Sequence, residues 1–291
     1  MIITREWKLA RRTFALGART LVMGVLNVTP DSFSDGGQFY DYERAVAHAE
    51  AMIADGADII DVGGESTRPG SEPVAASEEL RRIIPLIERL AKQGGAVVSV
   101  DTTKSEVVRA ALDAGAEVVN DVSALRFDFR VADEAARAGA GLLLMHSRGT
   151  PATMQKLPPV ADVLAEVTHS LRASVAMAER RGVARSQIAV DPGIGFGKTA
   201  EQSVELIAKF AELARAFPDL ALAVGTSRKS FIGKLLDDAP ADRRLHGTMA
   251  SVTAAILNGA HIVRVHDVRA CVETARVADA IRRAARAGAS V

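Results

Sequence analysis

Ile188-Ala189-Val190-Asp191-Pro192-Gly193-Ile194-Gly195-Phe196-Gly197-Lys198 is an apolar run that ends in a carboxylate and opens into a glycine-rich loop with a lysine at its edge. Two familiar readings of such a loop fail on spacing. A P-loop follows G-x-x-x-x-G-K, whereas only Ile194, Gly195 and Phe196 separate Gly193 from Gly197. A dinucleotide fingerprint, G-x-G-x-x-G, needs glycine where Lys198 stands, and its acidic residue follows the glycines instead of preceding them. What survives is a strand, Ile188 to Val190, that ends in Asp191, and a loop whose glycines let other groups come close to the backbone.

Outward from this stretch the same rhythm repeats. Apolar runs of strand length, Leu21 to Val28, Asp58 to Gly63, Ala96 to Thr102, Val118 to Val122, Gly141 to His146, Ile188 to Asp191, Leu220 to Gly225 and Ile262 to Val265, alternate with alanine-rich, charge-bearing segments. The latter, Tyr42 to Asp55, Ser77 to Gln93, Ser105 to Ala114, Val131 to Ala138, Val160 to Arg181, Ala200 to Ala216, Arg243 to Asn258 and Ala270 to Arg286, have helical period. This order predicts an α/β chain folded as a (β/α)8 TIM barrel, with residues 1–291 as one domain. Gly56, Gly115, Gly139 and Gly259 fall just past helices, where left-handed caps are expected. Glu6 to Arg19 shows no helical stripe and is expected to form a short hairpin closing the barrel floor.

With 291 residues, 48% of them hydrophobic, the chain can bury a large core. Lys plus Arg equals Asp plus Glu at 36 each, so no global field favours nucleic acid or an anionic membrane, and any anion site must be local. The lone Cys271 excludes an intrachain disulfide and a multi-cysteine metal cage, which fits a reducing cytoplasm. Charged residues interrupt Met1 to Gly17, and no apolar run is long enough to span a membrane, so the chain is expected to be soluble and not exported.

In such a barrel the chemistry lies where strands end and βα loops begin. There the sequence places Asn27, Asp61, Asp101, Asn120, Asp121, His146, Asp191, Lys229, Arg264 and His266. Arg264 and His266, two apart on one strand, face the same side. Either they form a cationic pair suited to phosphate, or Arg264 pairs structurally with Asp267 or Asp121. Lys229 and Ser230 stand where the seventh strand turns into a helix, and Ser230 is expected to cap it, directing amides and the Lys229 charge at an anion. Of three long loops at this rim, Thr29 to Gly37 and Glu65 to Ser71 read as lids, and Ser147 to Pro159 as either a lid or an ordinary connector.

Together these segments resemble the dihydropteroate synthase family. The matching runs are Asn27-Val28-Thr29-Pro30-Asp31-Ser32-Phe33-Ser34-Asp35-Gly36-Gly37, Asp61-Val62-Gly63-Gly64-Glu65-Ser66-Thr67-Arg68-Pro69-Gly70, Ser99-Val100-Asp101-Thr102, Asn120-Asp121, Asp191 to Lys198, Ser227-Arg228-Lys229-Ser230 and Arg264-Val265-His266-Asp267-Val268. They follow the family's order across nearly the whole chain. One departure is Ser147, where the family often has a second methionine after Met145-His146. The resemblance implies condensation of 6-hydroxymethyl-7,8-dihydropterin pyrophosphate with para-aminobenzoate, giving dihydropteroate and pyrophosphate.

Carried onto this sequence, the resemblance gives Asp101, Asn120, Asp191, Lys229, Met145, Phe196 and Arg264 to the pterin. It gives Asn27, Arg68, Arg264 and His266 to the pyrophosphate, and Phe33, Thr67, Arg68, Pro69 and Ser230 to para-aminobenzoate and its sulfonamide mimics. Mg2+ is the implied cofactor, held by Asn27 with Asp35, and Asn27, Asp35, Lys229, Arg264 and His266 carry the catalytic roles. A homodimer through helices on the barrel's far side is likewise implied. Two other readings stay open at this level: a pterin-dependent methyltransferase domain, and a pterin-binding paralogue of weak or no turnover.

Overall fold

The computed structural model describes residues 5–28, 37–67 and 70–288. A two-stranded antiparallel hairpin, β1 (Arg5–Lys8) and β2 (Thr13–Leu16), comes first. Then β3 (Leu21–Asn27), β4 (Ile59–Gly63), β5 (Val97–Asp101), β6 (Val118–Asp121), β7 (Gly141–Met145), β8 (Ile188–Asp191), β9 (Ala221–Val224) and β10 (Ile262–Val265) close into a barrel of order β10-β3-β4-β5-β6-β7-β8-β9. Every pairing within it is parallel. The outer helices are α1 (Gly37–Ala54), α2 (Ala76–Gln93), α3 (Ser105–Asp113), α4 (Val131–Ala138), α5 (Val163–Arg180), α6 (Ala200–Ala208), α7 (Phe210–Ala216), α8 (Ser230–Leu235), α9 (Leu245–Leu257) and α10 (Val268–Gly288). The predicted barrel is therefore the observed one.

Alternation along the strands separates two cores. Outward-facing residues such as Ile60, Val62, Val98, Val100, Val119 and Leu142 pack under the helices. Inward-facing Leu21, Met23, Ile59, Val97, Val118, Leu143, Ala189, Ala221 and Ile262 fill the lower barrel together with Trp7, Leu9 and Leu16 of the hairpin segment. The hairpin closes the floor, as expected. Trp7 is fully buried, and its indole N–H donates to the Gln187 carbonyl at 2.8 Å. Trp7→Ala should cost about 3–5 kcal/mol through the cavity it opens, read as a lowered denaturation midpoint. A midpoint within error of the parent would show that the hairpin is not part of the core.

Two helical expectations need correction. Ala200 to Ala216 is not one helix but α6 and α7, broken at Lys209 (φ −92°, ψ 15°), which turns Phe210 and Leu213 inward to full burial. Neither glycine nor proline marks the break, so tertiary burial decides it. Ser230 does not cap α8: Lys229 holds the cap position in extended conformation, and Ser230 is the first, exposed residue of that short helix. Ring closure is reinforced where Asp279 of α10 accepts from the Thr20 amide at 2.7 Å, the Thr20 hydroxyl at 2.9 Å and Arg282 at 2.6 Å. No helix among the described residues is long and apolar enough to cross a membrane.

Candidate active site

Strand register brings the rim residues to one level. Asn27 pairs with Gly63, Gly63 with Asp101, and Asp101 with Asn120, while Met145 pairs with Asp191 across β7 and β8. Gly63, without a side chain, leaves space between Asn27 and Asp101: a Cβ there would lie 3.6 Å from Asn27 Oδ1 and 3.5 Å from Asp101 Cβ. One layer deeper stands Asp61, fully buried. Its carboxylate accepts from Ser99 Oγ at 2.6 Å, Asn120 Nδ2 at 2.9 Å and Arg264 Nε at 2.7 Å. Arg264 Nη2 donates to Asp101 at 2.8 Å.

This arrangement overturns both structural partners considered for Arg264. Asp121 is consumed in its own turn, accepting from the Ser123 amide and hydroxyl and the Leu125 amide. Asp267 instead pairs with Arg228, accepting from Nε at 2.9 Å and Nη2 at 2.5 Å. Arg264 points into the barrel, so the carboxylates it meets are those of β4 and β5 across the mouth. Burial opposes its charge, but Asp61 and Asp101 outweigh that and hold its pKa above the ordinary value. Burial pushes Asp101 the other way, up toward its neutral form, against the pull of Arg264. Asp101 Oδ1 is buried and has no hydrogen-bond partner among the described residues.

The opposite wall is the Asp191 loop. Asp191 Oδ1 accepts from the Gly193 amide at 2.6 Å, and burial raises the Asp191 pKa despite Lys229 nearby. Gly193 has φ 65°, and a Cβ there would lie 1.8 Å from the His146 carbonyl oxygen, so no other residue fits. Lys229 Nζ donates to the Ile194 carbonyl and lies 4.7 Å from the centre of the Phe196 ring. Burial, against the attraction of Asp191, pushes the Lys229 pKa down to about 8. Phe196 and Lys229 are half-buried, and Met145 is buried.

Sequence reasoning assigned no role to Lys198. The structure buries its ammonium under the loop, with His146 Nδ1 at 2.9 Å, the Gly193 carbonyl at 2.9 Å and the Phe196 carbonyl at 3.0 Å. Burial first, then repulsion by Lys229, lowers its pKa well below the usual value. Burial also holds His146 down at about 2, so the imidazole is neutral. A lysine at a glycine loop's edge was the sole sequence signal, and it does not say which way the side chain turns.

His266 is half-buried, its backbone N–H and Nδ1 lying 3.1 and 3.0 Å from Ser227 Oγ. Thr67 is half-buried and Ser230 exposed. Phe33, Asp35, Arg68 and Pro69 lie outside the described residues. The 147–159 segment is more than a connector: Arg148 reaches the Gly197 carbonyl at 3.2 Å, Gln155 the Gly195 carbonyl at 3.3 Å, and Pro151 O accepts from the Gly70 amide at 3.0 Å. It thus joins the glycine loop to the second rim loop. Among the described residues there is no cluster of three or more metal-ligating His, Cys, Asp or Glu side chains.

A mouth built on Asp61, Asp101, Asp191, Asn120, Arg264 and Lys229 can read donors and acceptors along the edge of a flat polar heterocycle while holding an anion beside it. The family model for pterin binding enzymes matches residues 23–266. The chain is 49% identical over 271 residues to a dihydropteroate synthase of Synechocystis, covering 93% of each. The fold superposes with TM-score 0.88 on the Yersinia pestis dihydropteroate synthase solved with a sulfonamide drug, at 38% identity and covering 96% of this chain and 99% of that one. It also superposes with TM-score 0.88 on the Xanthomonas albilineans dihydropteroate synthase solved with 4-aminobenzoic acid, at 41% identity and covering 96% and 98%.

Proposed function

The chain belongs to the pterin-binding enzyme family, and from that premise we propose that it condenses 6-hydroxymethyl-7,8-dihydropterin pyrophosphate with para-aminobenzoate to give 7,8-dihydropteroate and pyrophosphate. The observation that carries this reading is the buried, unpartnered Asp101 Oδ1 beside Asn120 and opposite Asp191. These groups offer the acceptors that the N–H edge of an aminopyrimidinone needs. Lys229 donates to the ring's acceptor side, Phe196 and Met145 wall its faces, and Arg264 stacks on the pterin while contributing charge.

Asn27, Arg68, Arg264 and His266 take up the charge of departing pyrophosphate. The Ser227 contacts fix the His266 ring for this role. Departure leaves a delocalised pterin-methyl cation, which the aniline nitrogen attacks, so the protein's task is positioning and electrostatic stabilisation in place of general-base catalysis. Phe33, Thr67, Arg68 and Pro69 enclose para-aminobenzoate, with its carboxylate at the Ser230 hydroxyl. A sulfonamide would occupy the same place.

Magnesium belongs to the same proposal: Asn27, at the end of β3, offers an amide oxygen, a hard donor suited to a cation otherwise held by substrate oxygens and water. Asn27 with Asp35 would hold it, and when bound it would neutralise pyrophosphate charge. A cytoplasmic homodimer is part of the same proposal. Cys271 is buried, its thiol pushed up to about 12 by burial, so it is unreactive. Val277 and Ile281, one turn apart on α10, expose apolar surface that a second copy could cover.

The deciding experiment is pyrophosphate release from the pterin substrate with and without para-aminobenzoate. Release that requires para-aminobenzoate supports the synthase. No release sinks it, and binding of both substrates without product favours a non-catalytic paralogue. The pH profile adds a second check. Lys229 is an ammonium below about 8 and loses its proton above. Hence the limb of kcat/KM for the pterin that belongs to Lys229 should fall about tenfold per unit above that pH. Lys229→Met should be weaker throughout and lack that limb; a limb that survives the substitution belongs to another group.

A further inference from the structure

Lys104, three residues past the end of β5 and at the cap of α3, takes no part in the site described above. Its ammonium donates to Glu65 Oε2 and, at 2.6 Å, to Glu79 Oε2. Glu79 belongs to α2 and is fully buried. Glu65 begins the rim loop that follows β4, and its other oxygen accepts from the Val74 amide at 3.2 Å, so one carboxylate spans both ends of that loop. Ser71 Oγ closes a smaller ring within it, donating to the Ser66 carbonyl at 2.5 Å.

The loop also leaves β4 pressed against α2. Arg82 Nη1 donates to the Gly64 carbonyl at 2.8 Å, and a Cβ on Gly64 would lie 2.9 Å from Ile83 Cγ2 and 3.0 Å from Glu79 Cγ. Without Lys104, the carboxylates of Glu65 and Glu79 would face each other with one of them fully buried, and like charges so placed repel. Glu65 stands two residues before Thr67, and Lys104 three after Asp101. The lysine therefore fastens the loop that carries Thr67 to the strand end that carries Asp101.

We propose that Lys104 is a positioning residue: clamped between Glu65 and Glu79, it fixes the rim loop on the end of β5 and so holds the para-aminobenzoate site in its binding shape. This rests on the synthase reading. The test is Lys104→Met, which keeps length and removes charge, with Lys104→Arg as the conservative rescue. In Lys104→Met, KM for para-aminobenzoate should rise at least about tenfold. Meanwhile kcat and KM for the pterin pyrophosphate should stay within about twofold. Lys104→Arg should recover most of the loss.

The double variant Lys104→Met with Glu79→Gln removes the repulsion between the carboxylates and should regain thermal stability while KM for para-aminobenzoate remains high. If KM returns together with stability, or if both substrates suffer equally in Lys104→Met, the role is only structural and the proposal is overturned. Hydrogen exchange reads the anchoring without turnover: peptides covering residues 64–74 should exchange faster in Lys104→Met than in the parent. Unchanged exchange there overturns the proposal by itself. A parent protein that makes no dihydropteroate would sink the synthase reading instead, and exchange would still decide whether Lys104 anchors the loop.

Discussion

Asp61→Asn should lower kcat/KM for the pterin substrate by about 10- to 100-fold, because it removes a charge on which hydrogen-bonded groups depend at about 1.5–3 kcal/mol each. Asp61 Oδ2 accepts from both Asn120 and Arg264, whereas Oδ1 accepts from Ser99. An amide would therefore turn its NH2 toward Ser99, whose hydroxyl can accept, and keep its oxygen for the other two. Geometry survives, but Arg264 is left with Asp101 as its carboxylate partner. Of two carboxylates the guanidinium keeps one, so its hold is weaker while its position is kept. Asp61→Ala goes further: the buried donors lose their acceptor, and stability should fall by about 3–5 kcal/mol. Steady-state kinetics with chemical denaturation of the same proteins checks both. An Asp61→Asn variant retaining kcat/KM within about threefold of the parent would mean that Asp61 does not organise the site.

Asp191→Asn should raise the dissociation constant for the pterin about 1000-fold or more while leaving stability at neutral pH unchanged or slightly improved. The amide can keep its oxygen on the Gly193 amide, which holds the loop. In the pterin site proposed above, its NH2 would then face the N–H edge of the ring, donor against donor. The stability sign follows from the titration. Burial holds the Asp191 pKa above the ordinary carboxylate value, so its charged form costs stability once pH exceeds the unfolded pKa, and the neutral amide lifts that cost. Calorimetric titration with the pterin, beside thermal melts, separates the two effects. Loss of binding accompanied by equal loss of folding would contradict the assignment.

Much of this was legible in the chain. The alternation of apolar strand-length runs with amphipathic segments announced the barrel, since period 2 and period 3.6 arise from backbone geometry that every residue shares. Asp101, Asn120, Asp191, Lys229, Arg264 and His266 could be picked out because strand ends at one rim are where polar residues escape the core. The split of α6 from α7 was not legible, because nothing local at Lys209 breaks a helix. Neither was the position of Ser230: as the first residue of α8 or as its cap it reads the same in one dimension.

By itself, then, the sequence determined the order of elements, the rim at which the chemistry gathers and the residue types available there. Only the tertiary structure decided who partners whom. Arg264 is separated from Asp61 by 203 residues and from Asp101 by 163, and Lys198 from His146 by 52. Contacts at such separation depend on barrel closure and on the direction each side chain takes across the mouth. A carboxylate–guanidinium pair is chemically the same with Asp121, Asp267, Asp61 or Asp101. Which of these forms is set by the register that brings β10 beside β3 and β3 beside β4, a property of the closed ring and of no segment within it.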